Sequence, residues 1–383
     1  MRTGTQRGVR VLVGASLLSA VLGSIHAFSV FLEPLETQFQ ASRGMVSLTY
    51  SGALIFLSLM VLFGHRIYGR ASAPLLCLFA VLLGVVGASV AAFSQTLWGV
   101  WIGFSLFFGL ANGIGYGFGL QISAQVNQGR EGMAMGVVTA AYALGAVVSP
   151  ILFEHGFSNG GFKTAMMGLA LTILGVGLMS AILMRGIHYV ASTRTSHSAN
   201  ATDVWQMWLA YFGGVMAGLM VIGHAAGIAT TFDPNRAMWV APAVVAGCNL
   251  VGSLLGGMAV DRMAARWVVG GFAMITAGAL LLLAVVGAPA ILMSLGLVGF
   301  AYGGTIAAWP SMISKRVSMA QSAKTYGRVF TAWGIAGVAG PWLAGTLYDG
   351  TGSYGIALVI AAMFAGVSVV MSGWILRSGV QTS

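Results

Sequence analysis

Long stretches without a single Asp, Glu, Lys or Arg dominate the chain. Ten of them reach 20 residues or more: 11–32, 44–65, 71–129, 132–153, 164–184, 204–232, 237–260, 267–314, 329–348 and 350–376. A helix that crosses the hydrocarbon core of a bilayer needs about 20 mainly apolar residues, so eight of these stretches fit one crossing each. The two long ones, 71–129 and 267–314, fit two apiece. Each has a polar or breaking point near its middle: Ser94, Gln95 and Thr96 in the first, Ala288 and Pro289 in the second. The pattern predicts twelve transmembrane helices. A membrane β-barrel would instead show short segments of alternating polarity, whereas a helix satisfies its own backbone in lipid.

Composition agrees. Of 383 residues, 58% are hydrophobic and 7% charged, against about 45–50% and about 25% in soluble domains. Too few charges remain to cover a water-exposed surface, which excludes a soluble globular enzyme. A net charge of +10 suggests nucleic acid in a soluble protein, but in a membrane protein Lys and Arg collect on the cytoplasmic side. Threading twelve helices with both termini inside leaves only Arg43, Lys163 and Arg236 outside, and the other fifteen basic residues in the cytoplasm. The expectation is a multi-pass protein of the cell inner (cytoplasmic) membrane, monomeric in the bilayer, with no nucleic-acid partner. The basic start and apolar stretch up to residue 32 also resemble a secretory signal. Cleavage there would leave eleven helices, so the segment is expected to stay. Cys77 and Cys248 lie in apolar runs without metal-ligand spacing and read as small core residues; no cofactor or metal is expected.

The order of single and double runs in the first half repeats in the second. GVVTAAYALGAVVSP (136–150) and GRVFTAWGIAGVAGP (327–341) align at a constant shift of 191, which pairs Val138 with Val329, Tyr142 with Trp333 and Pro150 with Pro341. Gly115-Tyr116-Gly117 likewise matches Ala301-Tyr302-Gly303, and Gly223-His224 echoes Ile25-His26. The expected organisation is an all-α membrane protein of two pseudo-symmetric six-helix bundles, residues 1–185 and 204–383, joined by a polar cytoplasmic linker, 186–203. Two such halves flanking a substrate site near the midplane form one large class of secondary transporters. The 56 glycines, with runs at four-residue spacing such as Gly109, Gly113 and Gly117, read as close helix packing.

The chain resembles the major facilitator superfamily, and within it the oxalate/formate antiporters and the monocarboxylate transporters. The resemblance rests on YGRVFTAWGIAGVAGPWLAGTLYDGTGSY (326–354), ANGIGYGFG (111–119), GREGMAMG (129–136) and the loop GMAVDR (257–262), which is similar to that superfamily's cytoplasmic gating signature. It implies gating roles for Arg130, Asp261, Arg262 and Arg328, with Asp261 expected to pair with a basic residue such as Arg328. The first-half copy, FGHRIYGR (63–70), has Tyr68 where Asp261 stands in the second. The oxalate-transporting branch carries an Arg on helix 8 and a Lys on helix 11 for the substrate carboxylates. Here Ser253 and Trp333 occupy those positions, which disfavours a dianion.

His26 and His224 remain as ionisable groups inside the predicted helices. Intramembrane ionisable residues are rare and default to a functional reading; proton carriage or hydrogen bonding to a monocarboxylate are both open, as is an imidazole simply bonded to a neighbouring helix. Asn112, Tyr116, Tyr142, Asn249, Ser253, Tyr302 and Trp333 are the expected polar and aromatic lining. The eight acids lie at loops and helix ends and no phosphate-binding loop is present, which argues against a membrane-embedded enzyme or an ATP-driven pump. The reading is secondary active transport of a small organic solute, with a monocarboxylate as substrate and proton coupling or exchange. The alternative is efflux of a neutral or amphipathic compound.

Overall fold

A computed structural model describes residues 2–189, 201–232, 240–317 and 319–374. Most of the expected linker, with Arg194, and also Asp233, Arg236 and Arg377, lie outside the described residues. Those described are almost entirely helical: α1 Arg2–Leu22, α2 Arg43–Gly64, α3 Ala73–Phe93, α4 Leu97–Val126, α7 Ala201–Ile222, α8 Val240–Arg262, α9 Ala265–Val286, α10 Ile291–Arg316, α11 Met319–Thr351 and α12 Gly355–Trp374. Between α4 and α7 runs Glu131–Leu183, which leaves helical geometry at Gly160 and Gly161. Its 53 residues are far too many for one crossing at 1.5 Å per residue. The φ of +71° at Gly161, a left-handed value that glycine adopts without strain, breaks it into two arms, α5 (131–159) and α6 (162–183).

Among the described residues ten helices are long and apolar enough to cross a membrane, the double helix counting once. Counting its two arms separately and adding α11 gives the twelve that the sequence predicts. Many large apolar side chains face outward, among them Ile151 at 68% exposure, Leu171 at 65% and Val285 at 84%. In water such surface would aggregate; in a bilayer it is the lipid contact.

Contacts divide the chain into two units. The first comprises Met1–Gln128 and Ala141–Thr193, and the second Gly129–Ala140 and Arg194–Ser383, so the first turns of α5 cluster with the second unit. In the first unit, α4 is the element on which α1, α2 and α3 all pack. The glycine ladder explains why. A Cβ on Gly109 would stand 2.6 Å from the Ala53 carbonyl oxygen, and one on Gly113 2.5 Å from that of Leu57, so α2 lies directly against this glycine face, as small residues at four-residue spacing allow. The second unit repeats the device between α8 and α10, where Gly256 and Gly304 abut backbone to backbone. Upstream of the ladder, α4 widens into a π-helical stretch, Trp101–Phe108, a local form that frequently marks functional regions.

Candidate functional site

The first crossing does not stay α-helical. α1 ends at Leu22, a 3-10 segment Gly23–Phe31 follows, and the short helix Leu32–Phe39 completes the element. Gly23 lies so close to the Tyr142 carbonyl that a Cβ there would collide with it. The tighter segment turns His26 toward α2 and α5. Its Nδ1 lies 2.7 Å from the Tyr50 hydroxyl, and its ring meets that of Tyr142 edge-on at 5.4 Å. Tyr142 donates to Asn112 Oδ1 at 2.9 Å and packs against Tyr116 with ring centres 4.7 Å apart. Five of these side chains, Tyr50, His26, Tyr142, Tyr116 and Asn112, therefore form one cluster in the first unit. Asn112 is fully buried and its amide nitrogen donates to the Phe108 carbonyl at 3.0 Å, where the π stretch ends. With both amide ends engaged inside the protein, its place is behind Tyr142, fixing that ring to α4.

The second unit shows the related arrangement. Trp333 Nε1 donates to the Tyr302 hydroxyl at 2.7 Å, and Trp333 stacks on Phe330 at 5.1 Å. Tyr116 with Tyr142 and Tyr302 with Trp333 are thus contacting pairs at corresponding places of the repeat, joining helix 4 to helix 5 and helix 10 to helix 11. Ser253 is buried and donates to Asn249 Oδ1 at 3.3 Å.

His224 does not join that pair. α7 ends at Ile222, and after Gly223-His224 a short helix Ala225–Phe232 begins, so the seventh crossing is interrupted as the first is. Here Nδ1 lies 3.1 Å from the Tyr354 hydroxyl and Nε2 2.8 Å from the Pro341 carbonyl oxygen. Both ring nitrogens are held by the protein itself, which ties α7 to α11 and to the turn before α12. Burial, with Tyr348 and Asp349 nearby, raises the Tyr354 hydroxyl above the usual phenol range, so it keeps its proton and can donate. Tyr50 and Tyr354 were not foreseen from the sequence, where nothing separates an inward tyrosine from an interfacial one in an apolar run.

At the end of α8, Asp261 receives the backbone N–H of Gly132 at 2.9 Å and of Met133 at 2.7 Å. These are donors left unpaired in the first turn of α5, and the carboxylate also meets the positive end of that helix, worth about 0.3–1 kcal/mol. Its cation is Lys315 in the last turn of α10, with Nζ 3.0 Å from Oδ1 and 2.6 Å from the Val260 carbonyl. The expected partner, Arg328, stands exposed instead, as do Arg130 and Arg262; α10 brings its Lys to Asp261, a pairing that the sequence reading did not name. Tyr68, the first-half counterpart, is 1% exposed and packs on Phe118 and Tyr189. Burial raises both phenols, Tyr189 to about 12, so Tyr68 brings no negative charge where Asp261 brings one.

The family model described as Major Facilitator Superfamily matches residues 206–383. The chain is 24% identical over 343 residues, 85% of either chain, to the Uncharacterized MFS-type transporter YhjX of Escherichia coli. It is also 24% identical over 383 residues to the Aspyridones efflux protein apdF of Emericella nidulans, covering 95% of this chain and 77% of that one. Among solved structures it is similar to FucP of Escherichia coli, with a TM-score of 0.72 and 17% identity over 97% of this chain and 98% of that one. The twelve helices, the repeat and these similarities agree: the second half of the chain matches the Major Facilitator Superfamily model, and the whole chain shares its fold with solved transporters of that superfamily.

Proposed function

We propose that this transporter moves a small organic monocarboxylate by alternating access, with proton coupling or exchange, across the cell inner membrane, with both termini and the linker 186–203 in the cytoplasm. The observation that carries the reading is His26. It is an imidazole set by a helix interruption among Tyr50, Tyr142 and Tyr116, in a crossing with no other ionisable side chain between Arg10 and Glu33. Interrupted helices at corresponding places of two repeats are the usual sign of a transporter's binding site. Ser253 and Trp333, where a dianion would need cations, favour a single carboxylate: a buried anion without a partner costs several kcal/mol. Asp261, Lys315 and the first turn of α5 act in this reading as the lock that is broken and remade in each cycle, with Arg130, Arg262 and Arg328 as exposed charges around it.

A ligand-stabilisation screen on purified protein tests the substrate class. Lactate, pyruvate and formate are expected to raise Tm, and oxalate is not; stabilisation by oxalate and by no monocarboxylate overturns the reading. The second reading, efflux of a neutral or amphipathic compound, is favoured by the uncharged Tyr302–Trp333 pair and by the similarity to apdF. Stabilisation by such compounds alone would select it.

A further inference from the structure

We propose that residues 186–189, where α6 passes into the linker, form a strap that closes the turn between α2 and α3, latched by the ring of Tyr189, and that release of this latch frees the turn. The strap concerns the connection between the halves and holds whatever the substrate is.

The strap completes a helix whose own cap residue leaves it open. α3 begins at Ala73 behind Ser72, a residue type suited to capping, yet the Ser72 side chain makes no capping hydrogen bond. The Ala73 N–H is one of the donors that a helix cannot pair within its first turn. It donates instead to the Ile187 carbonyl at 3.1 Å, and His188 forms an antiparallel bridge with Ser72 beside it. Side chains along an extended segment point alternately to opposite sides; here Ile187 and Tyr189 are buried and His188 between them is exposed. Backbone groups therefore set the register of the strap, and two buried side chains hold it down.

Tyr189 is the latch. Its ring meets Tyr68 edge-on at 6.0 Å and Phe118 edge-on at 6.3 Å, and those two rings lie 5.5 Å apart. Such ring pairs are favourable beyond the area that they bury. The cluster joins three elements: the α2–α3 turn through Tyr68, α4 through Phe118 and the start of the linker through Tyr189. Tyr68 is itself wedged in place, since a Cβ on Gly64 or on Gly117 would collide with its hydroxyl, which sets the phenol between the end of α2 and α4. In the second half, Asp261 at the end of α8 is tied to Lys315 of α10, the counterpart of α4. The first half makes the corresponding tie with rings, one of them supplied by the chain that connects the halves. A displacement of that connection therefore reaches the α2–α3 turn through Tyr189.

Backbone hydrogen exchange at Ala73, followed by mass spectrometry on the full chain, tests this. Tyr189→Ala should speed exchange of that amide about tenfold or more, well within what removal of a buried aromatic side chain can release. Tyr189→Phe keeps the ring and should exchange as the wild type does, and so should His188→Ala, because the bridge uses only the backbone of His188. Exchange within α9, in the second unit, should be the same in all four proteins. Unaltered exchange at Ala73 in Tyr189→Ala overturns the proposal, and so does a rise in Tyr189→Phe or His188→Ala as large as in Tyr189→Ala. If Tyr189→Ala loses protection in α9 as well and so unfolds as a whole, the wild type decides alone: a closed strap protects the Ala73 amide, and exchange there as fast as in an unstructured peptide overturns the proposal without any variant.

Discussion

The end of α2 with the turn after it and the end of α8 occupy the same place in the two halves of the repeat and are built on different chemistry. Both begin from a glycine, Gly64 and Gly257, and four residues later one carries Tyr68 and the other Asp261. Asp261 is a charged hub that collects two backbone N–H groups and Lys315. Tyr68 is a buried aromatic wedge beside Phe118 and Tyr189, close to the first-unit end of the linker, where His188 bridges to Ser72. The repeat has preserved the scaffold and let the chemistry diverge. One is tied by an ion pair at Asp261; at the other, Tyr68 is held by aromatic packing.

The comparison is broken most severely by making the turns alike. Tyr68→Asp puts a carboxylate where an aromatic ring is 1% exposed and should cost about 3 kcal/mol or more, read as a large drop in Tm and in yield. Tyr68→Phe is the counterpart: the Tyr68 hydroxyl is buried without a hydrogen-bond partner among the described residues, so its removal should leave Tm unchanged or raise it. A lowered Tm in Tyr68→Phe would show that the hydroxyl has a partner after all. Next in size, Asp261→Asn should lower stability by about 1–3 kcal/mol and slow transport strongly. In a double-mutant cycle with Lys315→Ala the two changes should be non-additive, whereas pairing Asp261→Asn with Arg328→Ala should give simple additivity.

The two histidines sharpen the same contrast on a smaller scale. His224→Ala removes two contacts that join three elements and should act mainly on Tm. His26→Ala should leave Tm closer to wild type and reduce uptake. The reverse pattern would exchange their roles. Smallest are the paired rings: Tyr142→Phe loses the bond to Asn112 and Trp333→Phe the bond to Tyr302, each worth about 1 kcal/mol, with similar Tm shifts expected for the two if the pairs do equivalent work in the two halves.

Charge spacing along the chain was enough to count the helices, because a bilayer excludes charge from about 20 residues at a time. The double helix at Gly160–Gly161 shows how literal that reading was, since the break falls between Glu154 and Lys163, in the gap between two uncharged runs. The shift of 191 matched Tyr116 with Tyr302 and Tyr142 with Trp333, and in the structure the two residues of each half touch. Contacts across non-repeated elements were not legible. Lys315 reaches Asp261 from α10, while the sequence pointed to Arg328, because a string of residues carries no record of which helix end lies beside which. Tyr50 and Tyr354 were missed for a related reason. The histidines occupy matching places, but their partners come from unrelated elements, α2 and the turn before α12, so no repeat could have paired them.

The central claim is that the first unit, through His26, recognises a monocarboxylate that the transporter carries. Uptake of labelled pyruvate into proteoliposomes tests it directly. The account predicts saturable uptake by the wild type, strongly reduced in His26→Ala and largely kept in His224→Gln, in which the amide can still donate to the Pro341 carbonyl. Pyruvate uptake no greater than in empty liposomes, or uptake indifferent to His26→Ala, would contradict it.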